Sequence, residues 1–227
     1  MKKITLILLL FIPALLFAQT TTNIITVRPG FSFPTGDFKE LAKPTYNVQV
    51  DWQHYFGEKI ALGVGFLSGG NKFDATTAAN NVLSNVPGAT LATVAAQNYK
   101  YTALYGMATY NFTAGHKLAV EFTTRLGLAF SKHPAVSVYA ADAFTDYIDV
   151  EESSASATSF YYTGALVLRY PLSDRFDLSL SNEYVKFSGN YNISGVDNLS
   201  ATSYTTKAKQ DYSLIFTSLG LNWKFSK

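Results

Sequence analysis

The amino-acid sequence predicts an all-β protein, an eight-stranded antiparallel up-and-down β-barrel that crosses a membrane. Apolar and polar residues alternate with period two along most of the chain, which is typical of strands with one apolar face. Charged residues make up only 15% of the chain, whereas it contains 15 tyrosines and 17 phenylalanines. After the N-terminal stretch, no apolar segment reaches the roughly 20 residues that a spanning helix needs. These features favour a barrel, because only helices and closed barrels satisfy all backbone hydrogen bonds inside a bilayer.

The N-terminal residues 1–18 have the layout of a secretory signal peptide. Two lysines precede an apolar run over residues 4–17, and Ala18 follows this run. We therefore expect cleavage after Ala18, which leaves one domain over residues 19–227. A short N-terminal membrane anchor is the alternative, but the run is shorter than the ~20 residues of a spanning helix. The chain contains no cysteine, which argues against a lipoprotein.

The predicted mature chain carries no net charge. Removal of residues 1–18 takes away two lysines and no acidic residue, so the 18 basic and 16 acidic groups of the whole chain become 16 and 16. This balance gives no electrostatic support for binding to nucleic acid, and we expect none. The lack of cysteine excludes disulfides and thiolate metal sites. We expect neither a cofactor nor a metal ion.

The N-terminal half contributes four alternating runs, over residues 25–33, 45–56, 60–66 and 99–112. The second run, TYNVQVDWQHYF, is the clearest, because large apolar side chains recur at every second position. The fourth run, YKYTALYGMATYNF, has aromatic residues on both faces, so its phase has to be chosen. We place the following residues of this run outward, toward lipid: Tyr99, Tyr101, Ala103, Tyr105 and Met107.

The C-terminal half contributes four more runs, over residues 118–130, 160–170, 176–187 and 211–225. The first of them includes AVEFTTRLGLAF, in which one face is apolar and the other carries Glu121 and Arg125. The apolar face suits contact with lipid, whereas the face with the two charges suits the interior of a barrel. The eight runs therefore supply an even number of strands, as bacterial outer-membrane barrels have.

The connections between these runs alternate in length. Short turns lie at 57–59, 113–117 and 171–175, whereas long connections lie at 68–98, 132–158 and 189–205. If the N-terminus is periplasmic, all three short turns fall on the periplasmic side and the long loops fall outside, as in outer-membrane barrels. We predict a short helix in the alanine-rich piece 89–97. The three long loops are the expected surface for an extracellular ligand.

Aromatic residues concentrate at the ends of the runs, which predicts interfacial girdles. The girdle beside the short turns comprises Phe56, Phe112, Tyr170, Phe176, Trp223 and Phe225. The girdle beside the loops comprises Phe33, Tyr46, Phe66, Tyr99, Phe130, Phe160 and Tyr184.

Taken together, the signal peptide, the eight runs and the terminal LGLNWKF resemble the small eight-stranded outer-membrane β-barrel superfamily. Its members include the OmpX-like and OmpA-transmembrane-domain-like proteins, described as porin family or outer-membrane β-barrel domain proteins. The stretch GFSFPTGDFKELAKPTYNVQVDWQHYF resembles their first hairpin, and the resemblance covers residues 19–227. Family members usually end on an aromatic residue, whereas Phe225 is followed here by Ser226 and Lys227.

The resemblance implies a location in the outer membrane of a Gram-negative bacterium, with the N-terminus in the periplasm after signal cleavage. It also implies contact with outer-membrane lipid and lipopolysaccharide, and with the barrel-assembly machinery during biogenesis. The architecture hosts many functions, so it does not by itself identify one.

Charged residues on the predicted inner faces form the candidate site. They are Arg28, Asp51, Glu121, Arg125, Arg169, Asp177 and Glu183. An eight-stranded barrel has an interior just wide enough for side chains to fill it, and charges there must be paired or hydrated. We interpret them as an ion-pair network that fills the lumen of a protein with a structural or surface-interaction role. The alternative is a narrow, porin-like or OmpW-like channel or transporter for small or hydrophobic solutes.

We expect no enzymatic activity and no catalytic residue. A lipid hydrolase site would need a histidine and a serine close together on an outward face, and the spacing from His133 to Ser137 does not match that arrangement. A protease-like site would require His133, Asp142 and Asp146 to converge, which nothing in the sequence dictates. Acidic residues in the loop 132–158 fit a solvated surface better than a calcium site, because the spacing of an EF-hand is missing.

Overall fold

A computed structural model of the chain describes residues 21–226, so the predicted signal peptide, residues 1–18, lies outside the described residues. Within this range the chain forms twelve strands, one α-helix, α1 (Ala75–Asn85), and one 3₁₀ helix (Gly36–Glu40). The strands are β1 Thr21–Pro34, β2 Ala42–Lys43, β3 Thr45–Phe56, β4 Ile60–Phe73, β5 Leu91–Ala96, β6 Tyr99–Asn111, β7 Ala119–His133, β8 Val136–Ala141, β9 Asp146–Glu152, β10 Ala155–Pro171, β11 Phe176–Asp197 and β12 Thr202–Ser226.

Eight of these strands form a closed antiparallel ring. The order around the ring is β1, β3, β4, β6, β7, β10, β11 and β12, and neighbours in the ring are neighbours in the chain order of these eight strands. The ring closes where β1 pairs with β12, for example at Ile25 opposite Trp223. Closure pairs the first strand with the last, so the sheet lacks the two free edge strands that a bilayer would penalise. The predicted up-and-down eight-stranded transmembrane barrel is confirmed.

The strands turn apolar side chains outward and polar ones inward, the reverse of a soluble barrel. On β7, Leu126 is 57% exposed on the outer wall, whereas its neighbour Arg125 is fully buried inside. The same alternation holds on β3, where Val48, Val50 and Trp52 face outward. Such a large exposed apolar surface is stable against lipid and unfavourable against water.

No helix in the described part of the chain is long and apolar enough to cross a membrane.

The two ends of the barrel differ as the connection lengths predict. The end with the short turns at 57–59, 112–118 and 172–175 also holds the first and last described residues, and we call it the turn end. The opposite end, which carries the long connections, is the loop end. At the turn end, Gly57 and Gly115 adopt positive φ angles of 69° and 83°, which glycine accommodates without steric cost.

The prediction of an irregular loop over residues 189–205 is wrong, because β11 and β12 continue through this segment as one long hairpin. Their ladder extends to Asp197 opposite Thr202, and the turn between them contains Ala201 at φ 53°. Glycines and asparagines in this segment suggest a loop, but Tyr191 and Ile193 keep the inward phase and are buried. Burial of these apolar side chains explains why the strands persist.

The predicted helix at 89–97 is also wrong, because residues 91–96 form β5, which pairs with β8. The helix in this connection is α1, which starts after Asp74, whose carboxylate accepts a hydrogen bond from the Thr77 N–H at 3.2 Å. The connection 132–158 contains β8 and β9. Strands β5, β8 and β9 form a small sheet that joins the barrel where Glu152 of β9 pairs with Gly195 of β11.

Candidate functional site

A buried ion cluster occupies the middle of the barrel. Arg125 Nη1 lies 2.8 Å from Glu183 Oε1, and Arg125 Nη2 lies 3.5 Å from Asp51 Oδ2. Arg28 forms a second ion pair with Asp51. All four side chains are shielded from solvent. They come from β1, β3, β7 and β11, so the cluster ties opposite walls of the ring together.

Uncharged polar groups complete the cluster. The Tyr105 hydroxyl donates to Asp51 Oδ1 at 2.7 Å, and Gln49 Nε2 donates to Glu183 Oε2 at 2.7 Å. Hydrogen bonds to a carboxylate stabilise its charged form, which offsets part of the cost of removing it from water. The sequence interpretation missed both groups, although Gln49 has the same inward phase as Asp51.

A second group of ion pairs lies nearer the turn end. Arg169 Nη2 lies 2.9 Å from Glu121 Oε2, and Tyr55 donates its hydroxyl to Glu121 Oε1 at 2.9 Å. Lys224 Nζ lies 2.7 Å from Asp177 Oδ1. The structure thus places all seven residues of the candidate network in the interior, in two groups.

The partners of Glu121 and Arg125 explain why β7 carries both charges on one face. They do not pair with each other, because Glu121 pairs with Arg169 of β10 and Arg125 pairs with Glu183 of β11. With Lys224, the two groups contain four basic and four acidic side chains, so the interior is electrically balanced. Balance and pairing are what a stable low-dielectric interior requires.

The outward assignment of Tyr99, Tyr101, Ala103, Tyr105 and Met107 is wrong, because all five lie inside the barrel. The tyrosine hydroxyls provide the physical reason, since the hydrocarbon core of a bilayer offers them no acceptor. Inside, Tyr101 donates to Ser32 Oγ at 2.9 Å and Tyr105 donates to Asp51. The outer face of β6 carries Leu104 and Tyr110 instead. Because the phase chosen from the sequence places Tyr99 and Tyr101 outward, it places Lys100 between them inward, whereas Lys100 faces outward in the structure.

An aromatic cluster fills the lumen between the ion cluster and the loop end. The rings of Phe187 and Tyr212 stack with centroids 4.5 Å apart, and Tyr101 stacks on Phe216 at 6.1 Å. Phe38, from the 3₁₀ helix in the first connection, packs 4.8 Å from Tyr212 and is only 1% exposed. Phe38 therefore caps the cluster from the loop side. Rings at these distances exclude water and add packing energy beyond burial alone.

A polar cavity opens at the turn end and stops at the second group of ion pairs. Its walls include Tyr55, Lys117 and Lys224, and its inner end includes Glu121 and Arg169. The ion cluster and the aromatic cluster lie beyond this cavity, toward the loop end.

The predicted girdle residues beside the short turns lie on the outer wall at the turn end. Phe112, Tyr170, Phe176 and Trp223 are exposed there, and Phe56 and Phe225 are half-buried. Trp223 lies 5.2 Å from Phe225, and Phe112 lies 5.1 Å from Tyr110. At the loop end, the predicted band also faces outward, except for Tyr99, which is inside.

The histidines and loop carboxylates do not assemble into the protease-like arrangement. The His133 ring packs 6.0 Å from Tyr99 and 5.5 Å from Tyr191, and its Nδ1 contacts the Pro134 carbonyl. Asp142 instead accepts hydrogen bonds from the Phe144 and Thr145 N–H groups, at 2.7 Å each, and these contacts lower its pKa. Within residues 21–226, no group of three potential metal-ligating side chains is close enough to hold an ion.

The closed ring and its lipid-facing wall define a transmembrane β-barrel. No protein-family model matches the sequence, and no curated protein matches it. The chain is similar to a major outer membrane protein from Thermus thermophilus, with a TM-score of 0.52, 11% identity and coverage of 91% of this chain and 100% of that chain.

Two further solved structures match at lower scores. The outer membrane protein OprG from Pseudomonas aeruginosa has a TM-score of 0.48 and 13% identity, covering 92% of this chain and 98% of its own. Ail, the attachment invasion locus protein of Yersinia pestis, has a TM-score of 0.47 and 13% identity, covering 91% and 99%. At these identities the similarity shows the fold alone, and only the score of the Thermus structure is high enough to support that conclusion among the three. The chain has the fold of an outer-membrane β-barrel.

Proposed function

We propose that this chain is an outer-membrane protein of a Gram-negative bacterium, in which a filled barrel anchors a β-structured surface for interactions outside the membrane. The filled lumen carries this proposal. The ion cluster around Arg125 spans the middle of the barrel, and the aromatic cluster beneath Phe38 occupies the rest toward the loop end. An anchor benefits from such filling, whereas a pore needs a continuous polar path.

The surface presented at the loop end is built mostly from strands. The β11–β12 hairpin continues past Pro34, the last residue of β1 to pair with β12, up to its tip at 198–201. The sheet of β5, β8 and β9 joins this hairpin. An extracellular ligand would therefore contact the segments 68–98, 132–158 and 189–205 as a structured surface. The short turns and the N-terminus lie together in the periplasm in this arrangement.

The expected surroundings follow from the same proposal. Outer-membrane lipid and lipopolysaccharide contact the apolar wall, and the barrel-assembly machinery inserts the chain after signal cleavage. Enzymatic activity forms no part of the proposal.

One feature favours a second candidate, a path for small hydrophobic solutes. The ladder between β10 and β11 ends at Tyr162 opposite Lys186, although both strands continue toward the loop end. Unpaired neighbouring strands separate more easily than paired ones, since no backbone hydrogen bonds must break. Tyr161 and Phe187 line the inner side of this seam, so a solute would have to displace them.

Leakage of a small dye from loaded vesicles tests whether the lumen is filled. The protein is inserted into phosphatidylcholine vesicles, and a shift in gel mobility on heating shows that the barrel has folded. An anchor leaves the leakage rate equal to that of empty vesicles. Rapid leakage, with folding verified in the same sample, would contradict the anchor proposal.

A companion experiment addresses a hydrophobic path. Uptake of a fluorescent fatty acid is compared between the native chain and the pair Tyr161→Trp with Phe187→Trp, which enlarges both side chains at the seam. Uptake that exceeds that of empty vesicles and falls in this variant would support the second candidate instead.

A further inference from the structure

Two lysines on the outer wall lie directly opposite each other on neighbouring strands. Lys100 of β6 pairs in register with Lys132 of β7, and both side chains are exposed. Like charges in this position destabilise a sheet. Within residues 21–226, no carboxylate lies within 4.0 Å of either ammonium group, whereas Lys43 has Asp74 at 2.8 Å. The lysine pair therefore lacks an anionic partner in the described chain.

The lysine pair lies at the border of the belt of apolar side chains that covers the outer wall. One row toward the turn end, its outward neighbours are Thr102 and Phe130, and the next row is Leu104 and Leu128. On the outer face of β6, Tyr110, which packs against the girdle residue Phe112, lies ten positions after Lys100. Ten residues span about 33 Å along a strand, or about 25 Å along the axis of a barrel whose strands tilt by about 40°.

This distance equals the height of the lipid-facing band, about 25 Å in such barrels. The Lys100 ammonium group therefore lies at the level of lipid headgroups in the leaflet at the loop end. Long basic side chains at this level extend toward the headgroups while their methylene groups cover apolar surface. The pair also lines one shallow groove, together with Phe130, Thr102, Ser156 and Thr158. The groove offers hydroxyl donors beside the two ammonium groups.

We infer that Lys100 and Lys132 form a binding site for the phosphomonoester of a lipid headgroup in the outer leaflet. This inference rests on the proposed location in the outer membrane. A phosphomonoester carries about −1.5 to −2 charges at neutral pH, which matches two ammonium groups, whereas a phosphodiester carries one. Bound phosphate converts the repulsion between the lysines into two charge-assisted hydrogen bonds. The groove below them, with the exposed Phe130 ring, contacts the start of the acyl region.

Thermal unfolding of the folded protein in zwitterionic detergent micelles tests this site, with heat-dependent gel mobility as the readout. Phosphatidic acid, which has a phosphomonoester, should raise the unfolding midpoint by several degrees. Phosphatidylglycerol, a phosphodiester, should raise it by less than half as much. Inorganic phosphate and glycerol 3-phosphate at the same concentration should raise it least, because they lack the acyl contact.

The double substitution Lys100→Gln with Lys132→Gln should reverse the order of the unfolding midpoints of the variant and the native chain when phosphatidic acid is added. Without added lipid its midpoint should equal or exceed that of the native chain, because the repulsion is removed. With phosphatidic acid it should fall below the native chain. The pair Lys207→Gln with Lys209→Gln, on the hairpin beyond the barrel, removes the same charge and should leave the phosphatidic acid response unchanged. Lys100→Arg with Lys132→Arg should retain the response.

Three results would overturn the inference. One is an undiminished phosphatidic acid response in the Lys100→Gln, Lys132→Gln protein. Another is an equal loss of response in the Lys207→Gln, Lys209→Gln control. The third is an equal response to inorganic phosphate, which would indicate a general anion site. Insertion into phosphatidylcholine vesicles is measured in parallel. Failure to insert contradicts the proposed function, whereas insertion without a lysine-dependent response contradicts this inference alone.

Discussion

Replacement of Arg125 by methionine should destabilise the barrel strongly, because Arg125 is the fully buried cation of the central cluster. The substitution leaves Glu183 without the guanidinium at 2.8 Å, although Gln49 still donates to it. Asp51 keeps Arg28 and the Tyr105 hydroxyl. Removal of one partner from a buried ion pair costs about 3–5 kcal/mol. Because only one of the two carboxylates is left without a cation, we expect the free energy of unfolding to fall by about 3 kcal/mol, at the lower end of this range.

Urea unfolding in phospholipid vesicles measures this cost, with tryptophan fluorescence as the readout. The chain has two tryptophans, Trp52 and Trp223, and both lie on the outer wall, so their emission shifts when the barrel leaves the lipid. Arg175→Met is the matched control, since Arg175 is exposed in a turn, and it should change the free energy of unfolding by less than about 0.5 kcal/mol.

The double substitution Arg125→Met with Glu183→Leu sharpens this test. It removes both members of the pair and leaves no unpaired charge between them, so it should cost less than either single substitution. A cost for Arg125→Met no larger than that of Arg175→Met would refute the reasoning. It would mean that water reaches the guanidinium group and that the lumen is not filled.

Three further predictions concern the wall, the loop end and the hairpin. Leu126→Arg, at the middle of the outer wall, should cost about 2–4 kcal/mol in urea unfolding, whereas Ser156→Arg at the loop end should cost about 0–1 kcal/mol; equal costs would contradict the position of the belt. The Lys43 ammonium, together with the hydrogen bonds from Thr77, holds the pKa of Asp74 below its usual value. A lowered pKa in the folded state means that the ionised Asp74 carboxylate stabilises α1 at neutral pH, and that this stabilisation is lost as the pH falls through the lowered value. Hydrogen exchange in α1, corrected for intrinsic rates, should therefore accelerate at acidic pH in the native chain but not in Asp74→Asn. Replacement of residues 194–205 by a two-residue turn should leave the heat-dependent gel mobility of the barrel unchanged while β9 loses its partner Gly195 and becomes protease-sensitive; loss of the folded band would show that the hairpin tip is needed for barrel formation.

The barrel wall could be predicted from the sequence because period-two alternation encodes which side chains face lipid. On β7, the apolar set containing Leu126 and Leu128 and the polar set containing Glu121 and Arg125 leave one choice of phase. On β6 both faces carry aromatic residues, and the choice depended on whether Tyr101 and Tyr105 prefer lipid or hydrogen bonds. Their acceptors, Ser32 and Asp51, lie on other strands and are not visible in a local pattern.

The candidate network was predictable as a set of inward charges but not as a set of pairs. Alternation places Glu121 and Arg125 inside, while their partners, Arg169 and Glu183, depend on the register around the whole ring. The loop-end strands were missed for a different reason. Glycine within a strand usually weakens it, but Gly195 of β11 lies beneath the ring of Tyr204, where a larger residue would collide with it.

The most direct test of the filled lumen is single-channel conductance of the folded protein in a planar bilayer. The native chain is compared with Glu121→Gln and Arg125→Gln, and with Arg175→Gln as the exposed control. A filled barrel predicts a silent bilayer for the native chain, while gel mobility shows that the barrel has folded. Stable openings whose size or ion selectivity changes in Glu121→Gln or Arg125→Gln, but not in Arg175→Gln, would contradict the account and show that these charges line a path for ions.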